Sequence, residues 1–398
     1  MLRPRKPSAP AIRRDRNRPR QQTAVPCART GIPLSSPLRF PGASIPVSDQ
    51  PSASALSAVA ELYHQYMTGL ILAVSLHRGR HDAGEWAFRV FRHQHHEKFL
   101  SSFDKLGLTG MPDAVACAAY HYLSNSVGGV GVQFMQESEK KAWVRFVPPR
   151  WIYPDATICG VPSEVSRGML RGWYAQNGIS LNNPRLGFIC TAQTPDAQHG
   201  LAGYFLEHDR DLGPDERLRF SPGELPPPFD AAAAPKLPAA DWPAERLAKA
   251  NRNYAMEYVR TGLPRMAELF GPAETLAIAG HAARMIGAQT YLATAAGLGI
   301  QGDSPADFAR FLAAMAAAEG DAAEVSTDGG TAVVRRHGWR LTRNLPAQHP
   351  CVFEAWNGLF EGALMVHNRF CVLTVTQRLD YGDPHIEWRI RVRPTHHS

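Results

Sequence analysis

The stretch Cys351–Val392 is the part of this chain whose pattern leaves the fewest structural choices. Apolar residues recur at spacings of three and four over residues 352–367, which predicts a helix with one buried face. Gly358 and Gly362 lie one turn apart on this helix and leave a flat strip that a second backbone or a ligand can approach closely. A β-branched segment at residues 370–377, a Gly-Asp-Pro turn and an alternating apolar–polar segment follow. Helix, strand, turn and strand indicate an α+β domain.

The same order of predicted elements occurs twice in the chain, and landmark residues keep their spacing. The offset between the two copies is 190 to 193 residues at four landmarks. An offset this constant predicts a duplicated module, and two unrelated α+β domains are the alternative. The landmarks are Thr68-Gly69-Leu70 with Thr261-Gly262-Leu263, Leu106-Gly107-Leu108 with Leu298-Gly299-Ile300, Cys159 with Cys351, and Gly168 and Gly172 with Gly358 and Gly362.

We therefore predict an α+β fold of two similar modules, each with an N-terminal helical part followed by an antiparallel sheet packed on a helix. Residues 213–243 are rich in proline and alanine and are typical of a linker between the modules. The predicted divisions are a disordered tail at 1–50, a first module at 55–212, the linker at 213–243 and a second module at 244–393.

The net charge of +7 is concentrated at one end of the chain. Residues 1–50 contain ten lysines and arginines against two aspartates, whereas the remainder has 33 basic and 34 acidic residues. A neutral globular part argues against nucleic-acid binding outside the tail. The tail is Arg-, Pro- and Ser-rich without periodicity, which is typical of disorder; a nucleic-acid-binding arm, a targeting sequence and a mistaken translation start are the alternatives.

The cysteine pattern and the hydropathy pattern predict a cytoplasmic protein. Six cysteines in a long chain form no CxxC pair, which favours free thiols in a reducing compartment. The longest apolar run, residues 70–76, is far shorter than the ~20 residues that a membrane helix needs, so no membrane partner is expected. The chain has no phosphate loop, no GxGxxG after a strand and no GxSxG elbow, and we expect no cofactor.

Two segments of the C-terminal stretch, GLFEGAL and VTQRLDYGDPHIEWRI, resemble the C-terminal part of the vinyl-4-reductase type domain. That family shows a helix with spaced glycines, a strand, a Gly-Asp-Pro turn and a closing strand. Sensory and tetrapyrrole-related members hold hydrophobic or aromatic ligands, so the resemblance implies such a ligand here. Family members often carry two zinc-binding cysteines around the turn; this chain has Ile386 and approximately Arg378 there, and the first copy keeps Cys190 without a partner near Gly200. No zinc site of that kind is expected.

A looser resemblance, to amino-thiazoline carboxylate hydrolase-like proteins, rests on a cysteine followed by a helix and on the strand-turn-strand ending. It implies a hydrolase that acts on C–N or C–S bonds of a small heterocycle. Cys159 and Cys351 each precede a predicted helix, whose N-terminus lowers the pKa of a thiol, and His349 stands two residues before Cys351. These three residues are the candidate catalytic groups, and a buried, unreactive cysteine is the alternative at each position.

The only histidine cluster, Phe91-Arg92-His93-Gln94-His95-His96-Glu97, offers one candidate metal site. On a helix, His93, His96 and Glu97 share a face at spacings of three and four, which is compatible with metal binding. The order is not HExxH, however, and the second copy has no equivalent. A solvated polar face is the alternative, and we predict no metal.

Aromatic side chains provide the better functional indication. Aromatic residues are concentrated in the first copy, and in the second they stand beside many alanines. Small residues on helices can leave room for a ligand between helices and sheet, whereas bulky ones fill it; two ordinary hydrophobic cores are the alternative. We therefore predict a protein that binds a hydrophobic or aromatic small molecule, with the hydrolase as alternative and a homodimer as a further expectation. The candidate ligand-binding residues are Trp143, Trp173, Phe308, Phe311, Trp356, Gly358, Phe360 and Gly362.

Overall fold

The computed structural model describes residues 51–147 and 160–394, which contain two copies of one series of elements. The predicted tail and Cys159 lie outside the described residues. The first copy comprises α1 (Ala53–Lys98), α2 (Phe103–Leu106), α3 (Asp113–Val127), β1 (Val132–Gln136), β2 (Lys141–Phe146), α4 (Ser163–Gly172), α5 (Asn177–Ser180), β3 (Leu186–Ala192) and β4 (Leu201–Glu207). A short strand, β5 (Leu218–Phe220), precedes the second copy: α6 (Ala244–Phe270), α7 (Pro272–Gly297), α8 (Pro305–Glu319), β6 (Ala322–Asp328), β7 (Thr331–His337), α9 (Cys351–His367), β8 (Cys371–Gln377) and β9 (Ile386–Val392).

A glycine with positive φ marks the same corner in both copies. Gly79 has φ 81° and ψ 171° and breaks α1 into two arms, residues 53–78 and 80–98. Gly271 has φ 84° and ψ 161° and separates α6 from α7. Side chains with a Cβ rarely adopt this backbone conformation, so a glycine is needed at each corner. The two arms of α1 therefore correspond to α6 and α7.

The two sheets have the same strand order. The first runs β1-β2-β4-β3-β5 and the second runs β6-β7-β9-β8, with antiparallel pairing except between β3 and β5. In each copy the third helix, α3 or α8, packs against its own sheet. The predicted fold class, α+β with two similar sheet-containing modules, is confirmed.

Each copy sends its first helix into the other copy. The Tyr66 hydroxyl, on the first arm of α1, donates to the carbonyls of Ala279 and Ala355 in the second copy, at 3.2 and 3.3 Å. In return, the Trp86 indole N–H donates to the carbonyl of Gly262 on α6 at 2.9 Å. The largest hydrophobic core accordingly combines residues of both copies. Residues 53–78 begin the first copy along the chain, but their buried side chains pack with those of the second copy.

The segment 213–243 does more than connect the modules. Its strand β5 pairs in parallel with β3, and Phe229 packs on a cluster formed by Trp143, Ile189 and Tyr204. These three side chains lie on the outer face of the first sheet, away from the helices that cover its inner face. Burial of apolar area against Phe229 gives this proline-rich stretch a stabilising role in addition to its role as a linker.

Candidate functional site

A cavity of about 340 Å³ lies where α6 of the second copy meets α1 and α3 of the first. Every described residue that lines it belongs to a helix or to a turn beside a helix, and none lies on a strand. The volume is within the range of ~300–1,000 Å³ that is typical of small-molecule sites. Seven aromatic side chains contribute to the wall, and they define what we call the aromatic cavity: Phe91, Tyr120, Trp173, Tyr174, Trp242, Tyr254 and Tyr258.

Trp173 is the centre of this aromatic wall. It follows α4 directly, and its ring lies 6.0 Å from that of Tyr120 in a stacked arrangement and 6.3 Å from Phe91 in an edge arrangement. His121 and Tyr174 stack beside it with ring centroids 3.8 Å apart. Aromatic pairs at these separations hold one another in fixed orientations, so this wall is formed before a ligand enters.

Polar groups join the two sides of the aromatic cavity. The Tyr258 hydroxyl donates to the Tyr254 hydroxyl at 2.9 Å, and that hydroxyl donates to Oδ1 of Asn125 on α3 at 2.8 Å. The Asn125 amide in turn donates to the carbonyl of His121 at 2.7 Å. A hydrogen-bond chain from α6 to α3 fixes the width of the cavity, and its hydroxyl and amide groups can orient a polar substituent of a ligand.

Two titratable groups around the aromatic cavity are held neutral by burial. Burial raises the pKa of the Tyr120 phenol well above its usual value. Behind the aromatic wall, burial and then the charge of Arg92 lower the pKa of His95 to about 3. The His95 ring stacks on Phe99 at 4.8 Å, and its Nε2 lies 2.8 Å from the Ser180 hydroxyl. His95 is therefore a neutral packing residue at physiological pH.

A second cavity, of about 320 Å³, adjoins the first and differs from it in chemistry. The two cavities share the lining residues Lys98, Asn253 and Glu257. We call the second cavity the basic cleft, because four cationic side chains line it beside a single carboxylate. The cations are Lys98, Arg260, Arg340 and Arg343, and the carboxylate is Glu257.

The structure distributes the predicted ligand-binding aromatics over three places. Trp173 lines the aromatic cavity. Trp143 lies on the outer face of the first sheet, where its indole N–H donates to Glu137 at 2.8 Å. The remaining four are buried in the shared core, which fits the alternative of ordinary core packing. These four are Phe308, Phe311, Trp356 and Phe360.

Trp356 belongs to a buried polar network rather than to a ligand pocket. Its indole N–H donates to the Tyr63 hydroxyl at 2.9 Å, and Tyr63 donates to Glu319 at 2.9 Å. Arg336 on β7 donates to Glu319 at 2.6 Å and to Asp321 at 2.5 Å. Because Tyr63 lies on α1 and the other members lie in the second copy, this network joins the first helix of the first copy to the second copy.

The strip formed by Gly358 and Gly362 is filled by another backbone. A Cβ on Gly358 would lie 2.9 Å from the carbonyl oxygen of Gly280 on α7, and a Cβ on Gly362 would meet the backbone of Arg284 more closely still. The strip is thus a helix–helix contact and leaves no room for a ligand. The first copy repeats the contact, since Gly168 and Gly172 face the backbone of α1.

Cys351 and His349 are the candidate catalytic residues that the structure describes, and neither lines the aromatic cavity. Cys351 begins α9, but burial and the charge of Glu354 raise the pKa of its thiol, opposite to the lowering expected from a helix N-terminus. The Nδ1 atom of His349 accepts the backbone N–H of Cys351 at 3.1 Å, so this histidine caps the helix. Nor does any described cysteine line the aromatic cavity. The position of Cys159 is outside the described residues.

The candidate metal ligands form a surface pair. His93 lies 3.4 Å from Glu97, and His96 is exposed. Within residues 51–147 and 160–394, no three histidine, cysteine or acidic side chains are grouped so that they could hold a metal ion. Asn125, His121, Tyr254 and Tyr258 are among the site residues that sequence reasoning missed. Their spacings of four on two helices indicate shared faces, but only packing of α3 on α6 joins them.

Comparison with protein-family models, with curated proteins and with solved structures gives no match to this chain. The resemblance to the vinyl-4-reductase type domain and the looser one to amino-thiazoline carboxylate hydrolase-like proteins therefore stay predictions. In the described part of the chain, no helix combines the length and the apolar character needed to cross a membrane.

Proposed function

We propose that this protein binds an aromatic or otherwise hydrophobic small molecule in the aromatic cavity. The observation that supports this most directly is a preformed space of about 340 Å³ with seven aromatic side chains in its wall. The wall also contains polar groups, among them the Tyr258–Tyr254–Asn125 chain, that are available to orient the ligand. A wall that combines aromatic side chains with polar groups able to orient a ligand is typical of a small-molecule site.

The site that we propose lies between helices, whereas the sequence favoured a place between helices and sheet. The difference arises because α6 crosses from the second copy and packs on the first, as the Tyr254–Asn125 hydrogen bond illustrates. The sheet lies behind α3, whose Ala118 and Leu123 belong to its core. As part of the same proposal we place the protein in the cytoplasm, on the basis of four free cysteines among the described residues.

Native mass spectrometry of the protein purified from its own host tests the proposal. We expect a bound organic molecule whose mass disappears on denaturation. A matched pair of variants then locates it: Ala250→Phe narrows the aromatic cavity, and Ala273→Phe makes the same change at an exposed position on α7. Phe at position 250 should lower the occupancy or the affinity at least about ten-fold, the equivalent of ~1.4 kcal/mol.

The control Ala273→Phe should retain the ligand. Equal retention of the ligand in both variants would mean that the molecule binds elsewhere. A protein that arrives free of any organic molecule and does not bind the neutral fluorophore N-phenylnaphthylamine would remove the proposal. The hydrolase alternative makes a different prediction, since Cys351→Ala should then abolish turnover of a thiazoline-type substrate.

A further inference from the structure

We infer that the ligand is an amphipathic aromatic acid whose rings occupy the aromatic cavity and whose anionic group lies in the basic cleft. This inference rests on the proposed function, because it assigns the chemical class of the molecule bound at that site. Its first support is continuity: Lys98, Asn253 and Glu257 line both spaces, so one molecule of sufficient length contacts both.

The second support is the charge that the protein itself leaves unbalanced in the basic cleft. Lys98 pairs with Glu257 at 3.6 Å, and Arg343 pairs with the buried Asp321 at 2.5 Å. Among the described residues, the guanidinium groups of Arg260 and Arg340 form no salt bridge with a carboxylate, although the backbone N–H of Arg340 donates to Asp321 at 2.8 Å. Two guanidinium groups are therefore available for an anion.

The hydrogen bonds of these two guanidinium groups hold them in place without neutralising them. Arg260 donates to the carbonyl of Arg343 at 3.0 Å, and Arg340 donates to Oδ1 of Asn253 at 3.0 Å. Each bond uses one of the five N–H donors of a guanidinium. The remaining donors form the planar fork that recognises a carboxylate or a similar oxyanion by two parallel hydrogen bonds.

Mutual repulsion among the cations also favours an anionic ligand in the basic cleft. Burial and then the charge of Arg343 lower the pKa of Arg340, and the carboxylates of Asp321 and Glu257 oppose this only in part. Burial and then the charge of Arg340 lower the pKa of the neighbouring Arg252 to about 10. Like charges gathered in a partly buried place cost free energy, and a bound anion removes that cost. An anionic ligand thus gains more binding free energy from the basic cleft than a neutral ligand of the same shape.

Two fluorophores that share one ring system test the inference. Anilinonaphthalene sulfonate carries an acid group, and N-phenylnaphthylamine is its neutral counterpart. We expect the wild-type protein to bind the sulfonate at least about ten-fold more tightly than the amine. Raising the salt concentration should reduce this preference, since screening weakens the contribution of partly exposed charges.

The variants Arg260→Gln and Arg340→Gln should each lower the affinity for the sulfonate by roughly ten-fold and leave that for the amine within about two-fold. Arg89→Gln is the matched control, because Arg89 is exposed on α1 and lines neither cavity. Thermal unfolding of each variant verifies its fold.

Equal binding of the two fluorophores by the wild type, or a preference that survives both substitutions together, overturns the inference and leaves the proposed function intact. Failure of the wild type to bind either fluorophore counts against the proposed function itself, and the inference falls with it. A loss of both affinities in Arg340→Gln without a change in their ratio assigns Arg340 to packing and also overturns the inference.

Discussion

The contact between α7 and α9 yields the sharpest prediction, because the structure fixes both its direction and its size. Gly362 on α9 faces α7 so closely that a Cβ would come within 3.0 Å of backbone atoms of Arg284, a separation that real Cβ atoms essentially never show. A side chain can rotate away from such a contact, but a helical backbone cannot. Gly362→Ala must therefore push the two helices apart along a contact that belongs to the shared core.

The magnitude follows from two opposing effects. Adding atoms to a packed core costs about 1–3 kcal/mol, and the upper end applies here because the obstacle is backbone. Alanine regains about 1 kcal/mol over glycine inside a helix. We expect Gly362→Ala to lower the free energy of unfolding by about 2 kcal/mol, which corresponds to a decrease in Tm of roughly 4 °C at ~2 °C per kcal/mol in a chain of this size.

Thermal and urea unfolding, followed by circular dichroism, measure this loss. Gly280→Ala is the matched control on the facing helix α7: its Cβ would lie 3.3 Å from the movable end of Leu276 and 3.8 Å from Ala355. That variant should be neutral or up to about 1 kcal/mol more stable. If Gly362→Ala unfolds at the same temperature as Gly280→Ala, the reasoning from backbone contact is wrong.

Two further predictions concern buried charge. Arg336→Met leaves the buried carboxylate of Glu319 without its cation and leaves Asp321 with Arg343 alone, so it should lower the free energy of unfolding by about 3–5 kcal/mol. Arg335→Met, on the adjacent and 38% exposed side chain, should cost under about 1 kcal/mol, and equal losses in urea unfolding would contradict the role of the network. Since the pKa of His95 is lowered to about 3, the unfolded chain takes up a proton below about pH 6.5 and the folded chain does not. The free energy of unfolding therefore decreases as the pH is lowered, by up to ~1.4 kcal/mol per pH unit. His95→Leu should flatten this slope between pH 6.5 and 4, and an unchanged slope would show that His95 is protonated in the folded protein.

Much of the fold could be predicted from local patterns. Helical periodicity over residues 352–367 corresponds to α9, and the alternation that ends at Val392 corresponds to β9. The constant offset between landmarks corresponds to equal strand orders in the two sheets. Gly107 and Gly299, paired by that offset, have the same φ of 71°. Such features depend on residues close in sequence, and for that reason they can be predicted before the structure is known.

The candidate site was less accessible to sequence reasoning. A cysteine before a helix predicts a lowered pKa only if solvent or a cation reaches the thiol, and Cys351 is instead buried beside Glu354. Phe308 and Trp173 are both aromatic residues within predicted modules, yet Phe308 fills the core and Trp173 lines a cavity. Composition cannot distinguish these outcomes, because both bury apolar area.

The sequence by itself determined the series of helices and strands, its duplication, and the glycines at which helices turn or approach each other. Tertiary structure alone decided that the first helix of each copy packs on the other copy. That exchange brings Tyr254 on α6 to Asn125 on α3 and places Arg260 beside Arg340. Both cavities exist because residues far apart in the chain meet there. The free energy that holds them together comes from long-range packing and charge, which leave no periodic trace in the sequence.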